Sequence, residues 1–197
     1  MHLIRDFFGN YQELKYFFNK KVKLFVKKYY HLNYFDKFGT LLNYLDKGLR
    51  DDQILYVNLH HKVDDLMNYT LYRHIKKFPA FLDSYELLSV ADALISDYSS
   101  VFFDYLATRK QIILHIEDYD TYSSYQGLYM NINELPFDKA KTKKEVLDAL
   151  NRGKTYDDEE AFKYFCKYDT VNNHKKVCQL VMADESGLRI IDRKSVV

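Results

Sequence analysis

The stretch Ala91-Asp-Ala-Leu-Ile-Ser-Asp-Tyr-Ser-Ser-Val-Phe-Phe-Asp-Tyr105 restricts the fold more than any other. Ala93-Leu94-Ile95 is too short an apolar run for a helix and reads as a buried strand. Asp97-Tyr98-Ser99-Ser100 follows, with the small carboxylate and hydroxyl side chains that cap helices. Val101, Phe102, Tyr105 and Leu106 then recur at helical spacing. In an open α/β sheet, ligands gather at the carboxyl ends of strands. A helix N-terminus there presents unpaired N–H groups and the positive end of its dipole, which suits an anion such as phosphate. Capping alone is worth about 1 kcal/mol, and local physics favours that plain role over phosphate binding.

The rest of the chain repeats the alternation. Gln12 to Phe18 reads as a short helix, and Lys21 to Tyr30 alternates like a half-buried strand. Phe35 to Leu49 carries Phe38, Leu41, Leu42 and Leu45 at helical spacing. Ile54 to Leu59 is a strand, Phe78 to Leu82 a short strand despite Pro79, and Tyr85 to Val90 a short helix. Ala93 to Ser96 is the strand before the turn and Ser100 to Thr108 the helix after it. Gln111 to Ile116 is a near-continuous apolar strand of the kind buried in parallel sheets. Glu117 to Glu134 lacks a clean period and reads as a long loop. Thr142 with Glu145 is a capping box opening a helix to Leu150, and Asp157 to Tyr168 and Val171 to Met182 form a helical tail. Such alternation implies a Rossmann-like parallel sheet with flanking helices.

Composition narrows the function classes. The 197 residues suffice for one domain with a real core, and 29 basic residues against 28 acidic ones give no electrostatic bias toward nucleic acid. No nucleic-acid partner is expected. Cys166 and Cys178 do not form a metal-type pair, the histidines are scattered, and no Gly-rich phosphate loop is present, so no metal or cofactor is expected. No run of about 18 apolar residues exists to span a membrane. Ser99 lacks the flanking glycines of a hydrolase nucleophile elbow. Asp192-Arg-Lys-Ser-Val-Val197 is what GATCGGAAGAGCGTCGTG, a common sequencing-adapter sequence, encodes, and residues 192–197 are expected to be an artefactual tail. Residues 1–20 read as a remnant of an inter-domain segment and 21–191 as the domain proper.

The landmarks around the turn come in a recognisable order. Ser84-Tyr-Glu-Leu-Leu-Ser-Val-Ala-Asp-Ala-Leu-Ile-Ser-Asp-Tyr-Ser-Ser-Val-Phe-Phe-Asp-Tyr105 leads into Ile112-Ile-Leu-His-Ile-Glu-Asp118, then Tyr122, Gly127-Leu-Tyr129 and Glu134-Leu-Pro136. Upstream stands Ile54-Leu-Tyr-Val-Asn-Leu-His60-His61-Lys62. This series resembles the CDP-glycerol glycerophosphotransferase family, the teichoic-acid primases and polymerases of Gram-positive bacteria. Its signature is similar to "LL..AD.LITDYSS..FDY" followed by "D...Y....G.Y.....LP", and the likeness runs from Ile54 to Pro136. The resemblance implies the C-terminal, nucleotide-binding half of a GT-B-type glycosyltransferase fold.

It also implies roles. His60, at a strand end, would stabilise charge on a phosphate as the catalytic residue. Ser99 and Ser100 would bind phosphate oxygens, and Asp97 would hold the turn or meet a ligand hydroxyl. Asp104, one helical turn after Ser100, would share its cleft or act as a tether. Asp118 and Asp120 would touch glycerol or ribose hydroxyls, and Gly127 would serve a turn. Two positions depart from the family pattern: Asn58 replaces a basic residue, and Lys27-Lys28-Tyr29-Tyr30 stands where the family has a "PT.R" loop. The implied reaction moves glycerol phosphate from a CDP-glycerol donor to a lipid-linked teichoic acid acceptor and releases CMP. The implied setting is cytoplasmic, peripheral at the inner face of the cell membrane, with the general base on a domain outside this chain, so that this chain alone transfers nothing. Two alternatives stay open: a CDP-ribitol or other polyol phosphotransferase, and a non-catalytic membrane-surface module using the basic, aromatic stretch Phe17 to Tyr30.

Overall fold

In the computed structural model, residues 22–28, 35–59, 67–79, 81–126 and 130–167 are described, with scattered positions between 173 and 179. Six strands form one parallel sheet: β1 (Val22–Lys28), β2 (Gln53–Leu59), β3 (Ile75–Lys77), β4 (Ala93–Ser96), β5 (Gln111–His115) and β6 (Asp138–Ala140). Their spatial order is β3-β2-β1-β4-β5-β6. The chain therefore builds outward from β1 to one edge, returns, and builds outward to the other. The reversal lies between β1 and β4, the switch point where open α/β sheets bind ligands.

Strand period sorts the core into two layers. Leu94, Ile112 and Leu114 pack on one face with Leu87 and Leu88 of α2 (Ser84–Val90) and Phe102, Tyr105 and Leu106 of α3 (Val101–Leu106). Ala93, Ile95 and Ile113 point to the other face and meet Leu42 and Leu45 of α1 (Phe35–Gly48). Val146 and Leu150 of α5 (Lys143–Arg152) complete that second layer. β4 and β5 are buried at every residue, as strands covered on both faces must be. Gly48, where α1 ends, lies close under Leu147: a Cβ there would meet Leu147 Cδ2 at 2.2 Å and the leucine side chain would have to shift.

The amino end of the sheet is braced by charge. Lys110, just before β5, donates to the carbonyls of Ser89 (3.2 Å) and Ala91 (2.6 Å), and Tyr105 Oη donates to the same Ala91 carbonyl at 3.0 Å. Carbonyls left open at the end of α2 are thereby satisfied. Asp158 is 4% exposed and accepts from Arg109 Nη1 (3.0 Å) and Lys154 Nζ (2.7 Å). Arg109, at φ 60°, also lies 3.5 Å from the centre of the Phe162 ring. These contacts fasten α6 (Glu159–Phe165) beneath β5.

Most elements follow the sequence reading, and four differ. The expected strand at 78–82 is instead Ile75–Lys77, with Phe78 N making one more bond to Val57 O at 3.0 Å. Pro79, lacking an N–H, ends the ladder, and Leu82 N turns back to Pro79 O. The supposed loop from Glu117 to Glu134 contains a helix, α4 (Tyr119–Gln126), and a 3-10 turn at Ile132–Glu134. Polar residues fill α4, so it has no apolar period to betray it. β6 is three residues of Asp-Lys-Ala, too short and too polar to read as a strand. α6 is shorter than the Asp157–Tyr168 expected. The expected helix at Gln12–Phe18 lies outside the described residues, as does most of the one at Val171–Met182.

Candidate functional site

Three strands end in one row beside the switch point. Lys27 of β1 is in register with Asn58 of β2 on one side and Ser96 of β4 on the other. The chain leaves β4 through Ser96 and Asp97, both buried, and emerges at Tyr98, Ser99 and the exposed Ser100. Asp97 Oδ1 accepts the Ser99 N–H at 3.2 Å, so the carboxylate closes the turn on itself. The strand-turn-helix unit is thus as the sequence suggests, but its chemistry is distributed differently.

The hydroxyls do not cap the helix. Ser100 occupies the N-cap position with helical dihedrals (φ −59°, ψ −11°) and makes no side-chain cap bond. An N-cap side chain reaches back to the first turn only from extended backbone. Neither the Ser99 nor the Ser100 hydroxyl has a partner among the described residues. The helix behind them is six residues long, so its dipole is small. An anion at this turn would be held chiefly by the two hydroxyls.

Two carboxylates flank the turn. Asp104 is exposed, and its Oδ2 accepts the Tyr85 phenol at 3.1 Å, linking α3 to the start of α2. That bond is the tether foreseen as its simpler role. Its charge raises the Tyr85 phenol pKa above the ordinary value. Asp118 opens the α4 segment on the far side, with Tyr122 N donating to its carbonyl at 2.8 Å. Asp118 Oδ1 accepts the Tyr98 phenol at 2.9 Å, and the Tyr98 ring stacks on Tyr122 with centroids 3.8 Å apart and planes 14° apart. Burial, then the bond to Asp118, pushes the Tyr98 phenol well above its ordinary range. Asp120 is exposed and lies apart from these bonds, with Ser123 Oγ donating to its carbonyl.

Asn58, where the family pattern has a basic residue, donates from Nδ2 to Ser84 Oγ at 3.1 Å and so pins the end of β2 to the start of α2. His60 and Gly127 lie outside the described residues. The structure therefore brings Asp97, Ser99, Ser100 and Asp118 to one rim, with Asp104 one turn down α3. The Tyr98 bond to Asp118 and its stack on Tyr122 were not read from the sequence as site contacts, although both tyrosines stand in the quoted landmark series, Tyr98 inside the turn and Tyr122 four residues after Asp118. Among the described residues no group of three or more His, Cys, Asp or Glu side chains could hold a metal, and no helix is long and apolar enough to cross a membrane.

Residues 22–183 match the family model described as CDP-Glycerol:Poly(glycerophosphate) glycerophosphotransferase. The chain belongs to this family. It is 30% identical over 152 residues to the teichoic acid poly(glycerol phosphate) polymerase of Bacillus spizizenii strain W23, covering 73% of this chain and 39% of that protein. It is 26% identical over 153 residues to the teichoic acid glycerol-phosphate transferase of Staphylococcus aureus, covering 70% and 37%. Among solved structures, the wall teichoic acid polymerase TagF superposes with a TM-score of 0.75 at 23% identity, over 92% of this chain and 50% of TagF. The chain thus spans well under half the length of these two curated relatives and half of the solved polymerase. The Rossmann-like parallel sheet with flanking helices is the fold that this superposition shares.

Proposed function

We propose that this chain is the donor-binding unit, spanning residues 21–191, of an enzyme that transfers glycerol phosphate from CDP-glycerol to a lipid-linked poly(glycerol phosphate) acceptor. The observation that carries the reading is the pair of hydroxyls on Ser99 and Ser100. They have no partner among the described residues and stand at the switch point of a sheet from a CDP-glycerol-using family. In this reading the unit is the C-terminal half of a GT-B-type fold.

The step is an in-line displacement. An acceptor hydroxyl oxygen bonds to the β-phosphorus of CDP-glycerol, the bond from that phosphorus to the bridging oxygen breaks, and CMP leaves. The hydroxyl proton passes to a general base on the part of the enzyme beyond this chain. Positioning and electrostatic stabilisation dominate such transfers. Ser99 and Ser100 donate to the pyrophosphate, and His60 stabilises charge developing on the leaving phosphate. Carboxylates repel phosphate and accept from hydroxyls, which assigns Asp118 to a hydroxyl of the glycerol or ribose. The acceptor places the whole enzyme at the inner face of the cell membrane.

The test is a titration of the chain with CDP-glycerol, CDP-ribitol and CMP. Saturable CDP-glycerol binding, lost in a folded Ser99→Ala/Ser100→Ala variant, supports the reading. Preference for CDP-ribitol would shift it to a ribitol enzyme, and equal affinity in the double variant would leave the turn structural. The chain alone is expected to bind donor weakly and release no CMP.

A further inference from the structure

We infer that Tyr98 is a positioning residue that sets the Asp118 carboxylate and the α4 segment against the Ser99-Ser100 turn. Within that turn Asp97 closes the backbone and the two serines present open hydroxyls, while the Tyr98 side chain leaves the turn altogether. Its ring lies on Tyr122 and its phenol donates to Asp118 Oδ1. Since Tyr122 N donates to the Asp118 carbonyl, both partners of Tyr98 belong to one helical turn. One side chain therefore grips α4 twice, by ring contact and by hydrogen bond.

The grip matters because the sequence of α4, Tyr-Asp-Thr-Tyr-Ser-Ser-Tyr-Gln, offers no aliphatic residue to pack. Among the described residues Tyr119 adds a second hold, its ring packing against the core and its phenol donating to Asn131 Oδ1 at 3.1 Å. The bond also divides the Asp118 carboxylate. Oδ1 is taken by the phenol, and Oδ2 has no donor among the described residues. A carboxylate fixed by one oxygen and open at the other accepts a ligand hydroxyl without first paying rotamer entropy. The phenol stays neutral, and so remains a donor, because burial and Asp118 both disfavour its ionisation.

This inference rests on the donor-binding reading, and the experiment separates the two. The full chain is titrated with CDP-glycerol as wild type, Tyr98→Phe, Asp118→Ala, the double variant and Tyr122→Phe, with amide hydrogen exchange followed over residues 117–126. Tyr98→Phe keeps the ring stack and removes the donor, so affinity should fall about tenfold. The double variant should bind no more weakly than Asp118→Ala, since the phenol acts only through that carboxylate. Tyr122→Phe keeps the stack and should retain wild-type affinity. Exchange over 117–126 should quicken in Tyr98→Phe but not in Tyr122→Phe. Unchanged affinity in Tyr98→Phe, or losses that multiply in the double variant, would overturn the positioning role. If the wild-type chain binds no CDP-glycerol, the donor reading fails, and exchange alone decides the inference: no quickening in Tyr98→Phe overturns it.

Discussion

The two ends of the sheet treat polar groups in opposite ways. At the amino end, charges meet charges or backbone carbonyls: Asp158 accepts from Arg109 and Lys154, Asp138 from Arg152 at 2.8 Å, and Lys110 caps the end of α2. At the carboxyl end, the Ser99 and Ser100 hydroxyls and one oxygen of Asp118 have no partner among the described residues. The difference is physical. A polar group satisfied inside the protein contributes to stability, whereas one left open at a rim is free to bind something else. In the proposed reading, the charged braces and the donor site thus fall at opposite ends of the same strands, although Asn58–Ser84 and Tyr98–Asp118 also tie the carboxyl end together.

Substitutions can break this division. The largest effect is expected from Asp158→Ala, which removes the buried acceptor shared by Arg109 and Lys154 and leaves them only Glu159 (2.9 Å) and the Arg109 carbonyl (3.1 Å) as acceptors among the described residues. Both bases are partly exposed, so the loss should be about 2–3 kcal/mol in urea unfolding, with donor affinity unchanged. Weaker CDP-glycerol binding in that variant would show that the two edges are coupled. Ser99→Ala/Ser100→Ala should do the reverse, costing at least about tenfold in donor affinity while leaving Tm unaltered, because neither hydroxyl caps α3. A clear drop in Tm would mean that these hydroxyls hold the fold after all.

Alkaline pH probes the braced end further. Burial raises the Tyr105 phenol far above its ordinary value of 10.0. The folded state therefore keeps a proton that the unfolded chain gives up. Stability should be level below pH 10 and fall above it, by about 1.4 kcal/mol per pH unit for this group. Burial raises the Tyr98 and Tyr156 phenols too, so Tyr105→Phe should make the fall shallower by this group's share, as urea midpoints across pH 9 to 11.5 would reveal. Lys110→Met removes two donors to the α2 terminus but leaves Tyr105 Oη on Ala91, so about 1 kcal/mol is expected by thermal unfolding. Tyr85→Phe should matter least, since its bond to Asp104 is exposed. A change of about 0.5 kcal/mol or less is expected, with donor affinity reporting whether Asp104 touches ligand as well.

Legibility followed the range of the interactions. α1, β4, β5 and the capping box of Thr142 and Glu145 declare themselves by period or by spacing along a few residues, and the structure has them where those signals place them. The edge strands β3 and β6 do not, because three residues carry no period. α4 was hidden for another reason: a helix held by tyrosine contacts instead of an apolar stripe looks like loop. At the site, Asp97, Ser99 and Ser100 were visible as a turn, but their division of labour was not. Capping depends on the dihedral angles at Ser100, and composition does not report those.

By itself, the sequence determined a parallel α/β sheet and a strand-turn-helix unit bearing two hydroxyls, since backbone preference and hydrophobic period act between near neighbours. Tertiary structure alone decided that Lys27, Asn58 and Ser96 end in one row, because parallel strands are paired through crossovers whose order no local pattern encodes. It also decided that Tyr98 reaches Asp118 twenty residues onward and that Arg109 reaches Asp158 across forty-nine. Those bonds exist only once packing has paid the entropy of bringing distant segments together.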